Sequence, residues 1–268
     1  MTIPHMTVLV VGATGSIGRL VVEEAIRQGH AVRALVRNPG KGRQLPSGAR
    51  VVIGDVTRPD TLRGITDGVD AIIFTLGSDG LGKVGAETVD YGGVRNVLDV
   101  LGAQRARIAL MTSIGVTDRA GRHNRVTEAH DWKRRSERLM RASGLPYTIV
   151  HPGWFDYNAA GQKRLVLLQG DKRHAGDPSD GVIARRQIAE VLVLSLTSDQ
   201  ALRKTFELVA ETGPAPDDFD ALFAALEADP AGVLDGVRDT DNMPTNGEPQ
   251  SVRDDLNTAL GRRSAAAS

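Results

Sequence analysis

Three glycines stand three residues apart in the run Val11-Gly12-Ala13-Thr14-Gly15-Ser16-Ile17-Gly18, directly after the apolar stretch 7–11. A diphosphate needs a tight turn, a backbone bare enough to approach, and the N–H groups and positive dipole of a helix start. Gly12, Gly15 and Gly18 fall where those demands arise, with Thr14, Ser16 and Ile17 in the same turn. Gly18 also lets the helix lie close to the strand. The chemistry implied is the binding of a dinucleotide. The competing reading is a turn that is glycine-rich by chance, and the agreement of strand, turn and helix argues against it.

The end of the second apolar run bears on which nucleotide. A site for NAD usually has an acid there to hold the ribose hydroxyls. Here the sequence is Arg33-Ala34-Leu35-Val36-Arg37-Asn38-Pro39, without a carboxylate. Arg37 can offer its planar fork to a 2′-phosphate, with Lys41 in support, so NADP(H) is the expected cofactor. The alternative is that Arg37 is merely exposed, and Arg33 reads as a solvated or sheet-edge side chain. Asp55, before Val56, either accepts from the adenine amino group or caps a turn ahead of Pro59. Thr75-Leu76-Gly77-Ser78 ends a fourth run, where small residues admit a cofactor.

These groups need a scaffold. Continuous apolar runs occur at 7–11, 31–36, 51–53, 70–76, 107–112, 147–151 and 205–209, separated by helix-length stretches at 16–28, 86–102, 131–143 and 186–198. Unbroken apolarity means burial on both faces, as in a parallel sheet covered by helices, and parallel neighbours require crossovers. The predicted fold is α/β: a doubly wound, mostly parallel Rossmann-like sheet with a small C-terminal substrate-side region and tail. Residues 1–210 would form the nucleotide-binding unit, with substrate-side segments from about 151, and 211–268 a C-terminal helix and arm. A short helix is expected at 217–228. For 229–268 an arm wrapped on the domain and a mobile tail are both open, and Arg263 to Ser268 read as mobile.

Among the 268 residues there is no cysteine, which excludes disulfides, thiolate metal sites and a cysteine nucleophile. Lys plus Arg and Asp plus Glu each number 33, so no net field attracts nucleic acid or an anionic membrane. No apolar run nears the roughly 20 residues of a membrane span, and the start lacks a signal-peptide layout. A cytoplasmic address is expected. No His/Asp/Glu spacing suggests a metal, and no Gly-x-Ser-x-Gly elbow suggests hydrolysis.

The glycine run resembles the atypical short-chain dehydrogenase/reductase superfamily. So do Gly54-Asp55-Val56, Val89-Asp90-Tyr91-Gly92-Gly93-Val94, the stretch Arg141 to Val150, and Pro152-Gly153. Within it the chain is similar to the NAD(P)H-binding NmrA-like and biliverdin-reductase-B-like groups over roughly residues 7–210. The resemblance implies a catalytic serine at Ser113 and a lysine at Lys133, both also near the cofactor, and a Pro152-Gly153 turn beside the nicotinamide. The usual tyrosine, four residues before the lysine, is Ala129. Its place as proton source falls to His130, one residue on, or to Tyr157, unless His130 is simply solvent-exposed. Trp154, Phe155 and Tyr157 either wall a pocket for a flat apolar substrate or pack beneath later segments. The loop 117–128 is either a lid over an anion or a solvated basic loop. His151 stands where arginine is common in the family and either touches the cofactor or fills space, and Arg186 is expected to form a structural ion pair. The activity implied is NADPH-dependent reduction of a small carbonyl, quinone or conjugated acceptor. The alternatives are a non-catalytic NADP(H) redox sensor and a cofactor-dependent isomerase or dehydratase.

Overall fold

The computed structural model describes residues 5–78 and 80–265. In chain order its elements are β1 (Thr7–Val11), α1 (Gly18–Arg27), β2 (Ala31–Val36), α2 (Pro39–Gly42), β3 (Ala49–Ile53), β4 (Ala71–Phe74) and α3 (Gly82–Gly85). After one π-helical turn (Ala86–Tyr91) come α4 (Gly92–Leu101), β5 (Arg107–Met111), α5 (Arg122–Thr127), α6 (Ala129–Ser143) and β6 (Tyr147–Pro152). The rest are β7 (Trp154–Phe155), β8 (Arg164–Leu168), β9 (Val182–Ile183), α7 (Arg185–Ser195), β10 (Lys204–Glu211), α8 (Phe219–Ala224) and α9 (Gln250–Ala265).

The main sheet has eight strands in the order β3-β2-β1-β4-β5-β6-β10-β8, and only the β10–β8 pair is antiparallel. The fold is therefore the doubly wound Rossmann-like α/β arrangement. Val8 to Val11 are fully buried because helices cover both faces of β1. One core lies between the sheet and α4 and α6, the other between the sheet and α1 and α7. Strand order reverses between β1 and β4, and in open sheets of this kind a crevice forms there at the carboxyl ends. Among the described residues no helix is long and apolar enough to cross a membrane.

Three features depart from the periodicity. The helix expected over 86–102 is split, because the π turn widens the ladder and turns Asp90 inward, leaving it buried. β8 runs antiparallel at the sheet edge, where one half-covered face dilutes the apolar signal. α6 carries few apolar residues yet buries Arg134, Arg135, Ser136, Glu137, Arg138 and Arg141.

The segment from Asp229 to Glu248 explains the last feature. It crosses α6 and supplies an acid to each arginine: Arg134 Nε donates to Asp235 (2.9 Å), Arg138 to both Asp235 oxygens (2.8 and 2.6 Å), Arg135 to Glu248 (2.6 Å) and Arg141 to Asp229 (3.1 Å). α9 adds Val252, Leu256 and Ala259 to the core on this side. Arg263 to Ala265 continue α9, while residues 266–268, part of the stretch expected to be mobile, lie outside the described residues.

Candidate active site

The first turn after β1 is shaped by its glycines. Gly12 has φ +92°, and a Cβ there would stand 2.7 Å from the Thr75 carbonyl oxygen. At Gly18 a Cβ would meet the Gly12 carbonyl oxygen at 2.1 Å, so α1 starts against the strand only because the side chain is absent. Ile17 precedes α1 without a side-chain cap, and no acid lies in its first turn. Arg19 N–H donates to the Gly15 carbonyl, while the turn ahead of it carries no side-chain cap, an arrangement that suits an anion.

A cavity of about 730 Å³ opens from this turn along the carboxyl ends of the strands. Gly12, Thr14, Gly15, Ser16 and Ile17 line one end, with Arg37 and Lys41 beyond them. Val56, Thr75, Leu76 and Gly77 form the middle, and Ser113, Ala129, His130, Lys133, Pro152, Gly153 and Tyr157 the other end. Two expected residues do not line it. Gly18 serves packing, and Asp55 Oδ1 accepts from the Thr57 amide (2.9 Å) and hydroxyl (2.8 Å), the contacts of a turn cap, which leave Oδ2 unengaged among the described residues. Arg33 is half-buried and donates to the Ile65 carbonyl. Arg37 is exposed at the cavity rim with no hydrogen-bond partner among the described residues.

At the deep end, Lys133 Nζ lies 2.8 Å from Asp90 Oδ1, and Ser78 donates to the other oxygen at 2.5 Å. This pair is nearly dry, with Asp90 at 1% and Lys133 at 14% side-chain exposure. In the same cavity lining, Ser113 Oγ and His130 Nδ1 are both out of solvent and without a partner among the described residues. Burial, then the neighbouring His123, holds the His130 imidazole below its usual range, so it is neutral near pH 7. The rings of His123 and His130 lie 5.1 Å apart.

Tyrosine chemistry is narrowed by the rest of the fold. Of the three tyrosines, Tyr91 donates to Asp255 (2.8 Å) and Tyr147 to Asp229 (2.9 Å), and burial pushes both phenols up. Only Tyr157 lines the cavity, 65% exposed, its ring edge-on to Trp154. The loop 117–128 is not wholly irregular: α5 occupies its second half, and Arg119 is bound to Asp131. His151 is buried against Glu137 (2.9 Å) rather than lining the cavity, and Arg186 pairs with Glu23 (2.9 Å).

A family model described as NAD(P)H-binding matches residues 12–199, beginning at the first glycine of the turn. The chain belongs to this NAD(P)H-binding family. Sanguinarine reductase from Eschscholzia californica is 29% identical over 82% of this chain and 96% of its own. The photosystem II assembly factor Ycf39 from a Synechocystis strain is 29% identical over 76% of this chain and 62% of its own. Among solved structures, an NAD-dependent epimerase/dehydratase candidate from Bacillus halodurans has a TM-score of 0.68 at 24% identity, over 82% of this chain and all of that one. The anaerobillin reductase ChuY from Escherichia coli O157:H7 has 0.60 at 22%, over 78% and 100%. The family is reductase-like and takes NAD(P)H. The glycine cradle, the uncapped helix start and the size of the cavity fit that cofactor.

Two residues at the site escaped sequence reasoning. Asp90 stood in a quoted motif but was given no role, since only the π turn reveals that it faces Lys133. Arg185, at the start of α7, reaches back to Ser16 Oγ (3.1 Å), pairs with Asp156 and lies over the Phe155 ring (5.2 Å). Its guanidinium lines the cavity beside the glycine turn, and as one of two adjacent arginines it carried no distinguishing signal.

Proposed function

We propose that the protein is an NADPH-dependent reductase of a small, flat acceptor with a carbonyl, quinone or conjugated system. Bound NADPH supplies the hydride. The glycine turn and Arg185 hold the diphosphate, and Arg37 with Lys41 receives the 2′-phosphate, as bidentate arginine is suited to do. Lys133, fixed by Asp90, donates to the nicotinamide ribose. Ser113 Oγ donates to the acceptor oxygen, where charge develops during reduction. His130 Nδ1 serves as the proton station, directly or through an ordered water, in place of the tyrosine that Ala129 lacks. Trp154, Phe155 and Tyr157 form an apolar wall at the acceptor end. A cytoplasmic address belongs to the same reading.

The observation that carries this reading is that two unpartnered buried polar atoms, Ser113 Oγ and His130 Nδ1, belong to residues lining the cavity that begins at the glycine turn. Buried polar atoms are rarely left unmatched, and a bound molecule or an ordered water in the cavity would match these two. The test is NADPH oxidation followed with a panel of quinones, flavins and aldehydes. Turnover that falls sharply in Ser113→Ala, with NADPH affinity kept, supports the reductase. Tight NADPH binding without turnover on any acceptor would instead make it a redox sensor.

A further inference from the structure

We propose that His151, Asp171 and Glu207 form a buried site for one first-row divalent cation, of the Zn²⁺ class, separate from the nucleotide cavity. Adjacent strands create it. His151 on β6 and Glu207 on β10 are direct partners in the parallel ladder, and Asp171 lies three residues beyond the end of β8, which pairs with β10. One donor atom from each residue lies within 4.8 Å of the other two, and all three residues are buried. None of them lines the nucleotide cavity.

The ring of His151 is already held as a metal ligand is held. Its Nε2 faces Glu137 Oε1 at 2.9 Å, and that oxygen also accepts from Thr112 (2.7 Å). Nδ1 is buried and has no partner among the described residues. A carboxylate on one imidazole nitrogen fixes the tautomer that leaves the other as a donor to a metal. Charge points the same way. Glu137, Asp171 and Glu207 face His151, the His174 ring 3.6 Å from Asp171, and one guanidinium, Arg141, which is 3.5 Å from Glu137 and shared with Asp229 at 3.1 Å. An unmatched carboxylate in a dry interior is costly, and a divalent ion would balance the group. One imidazole nitrogen and two carboxylates are a donor set that zinc takes, with water completing a tetrahedron.

The ion would act at a distance on the reaction site. Asp171 accepts from the amides of Gly115 and Thr117, both at 2.6 Å, and so clamps the loop that follows Ser113. A cation on Asp171 would stiffen that clamp without touching the acceptor.

The experiment uses the full chain, stripped with a chelator and titrated with Zn²⁺ by calorimetry at mildly alkaline pH, with bound metal counted by elemental analysis. The expected result is one ion per chain and a rise in the thermal midpoint. His151→Gln and Glu207→Gln should each lose the ion and the rise, and Glu137→Gln should weaken binding about 10–100-fold. Glu207→Gln keeps shape while removing charge, and NADPH binding by each variant reports that it is folded. His123→Asn removes the competing histidine pair at the cavity and should leave zinc binding unchanged. No bound ion, binding that survives both His151→Gln and Glu207→Gln, or binding lost in His123→Asn would each overturn the proposal.

Discussion

Replacing Gly18 with alanine tests the nucleotide cradle at its tightest point. The added Cβ would stand 2.1 Å from the Gly12 carbonyl oxygen and 2.8 Å from Thr75 Oγ1. Ordinary contact starts at 3.4 Å, so the first gap is about 1.3 Å short. Both obstacles sit on backbone or a buried side chain, so α1 must move away from β1. Overpacking of this kind costs about 1–3 kcal/mol of stability. A shift near 1 Å in a positioning element costs about 10²-fold in what it positions. We therefore expect NADPH affinity to fall about 100-fold in Gly18→Ala, read by fluorescence titration, with urea unfolding measured in parallel. Two companions calibrate the result. Gly15→Ala brings its Cβ to 3.2 Å of the Gly12 oxygen, which the turn can absorb, so its loss should be far smaller. Gly29→Ala sits at φ +87° with nothing within 4 Å, so it should cost about 1–2 kcal/mol of stability and leave NADPH affinity intact. Undiminished NADPH affinity in Gly18→Ala would refute the reasoning.

Arg37→Asp should weaken NADPH about tenfold and leave NADH nearly unchanged, since an exposed charge-assisted contact is worth little more; equal losses for both would discredit the 2′-phosphate role. Asp235→Ala strands the buried guanidiniums of Arg134 and Arg138, so urea unfolding should show a loss of about 3–5 kcal/mol. Burial opposes the Asp235 charge, but the two arginines lower its carboxyl below the ordinary value. Its share of stability is therefore complete above the unfolded pKa, near 4, and disappears as pH falls through the depressed folded value. His130 is held below its usual range. Turnover should therefore rise as pH falls through that depressed value and the ring gains a proton, and His130→Asn should flatten that limb.

Much of the scaffold was readable because unbroken apolar runs and glycine spacing are local. Val8 to Val11 announce a strand covered on both faces, and Gly12 to Gly18 announce the turn that follows. Ser113 and Lys133 came through family resemblance, and the structure brings both to the cavity. What stayed hidden depends on partners far along the chain. Asp90 looks like any acid on a helix until a π turn rotates it toward Lys133. His151, Asp171 and Glu207 are separated by 20 and 36 residues, so no spacing rule can join them. Asp55 shows the opposite difficulty, since a carboxylate after a strand suits a ligand and a turn cap equally, and its contacts with Thr57 engage one oxygen only.

The acids of the 229–248 crossing have a consequence for biosynthesis. α6 is completed well before they leave the ribosome, and until then Arg134, Arg135 and Arg138 lack the counter-charges that allow them to be desolvated. Stable docking of that helix, and with it the final placing of Lys133, must wait until residues 229–248 have been translated. The strands and helices ahead of α6 can condense early, but the site becomes competent only when the 229–248 crossing arrives.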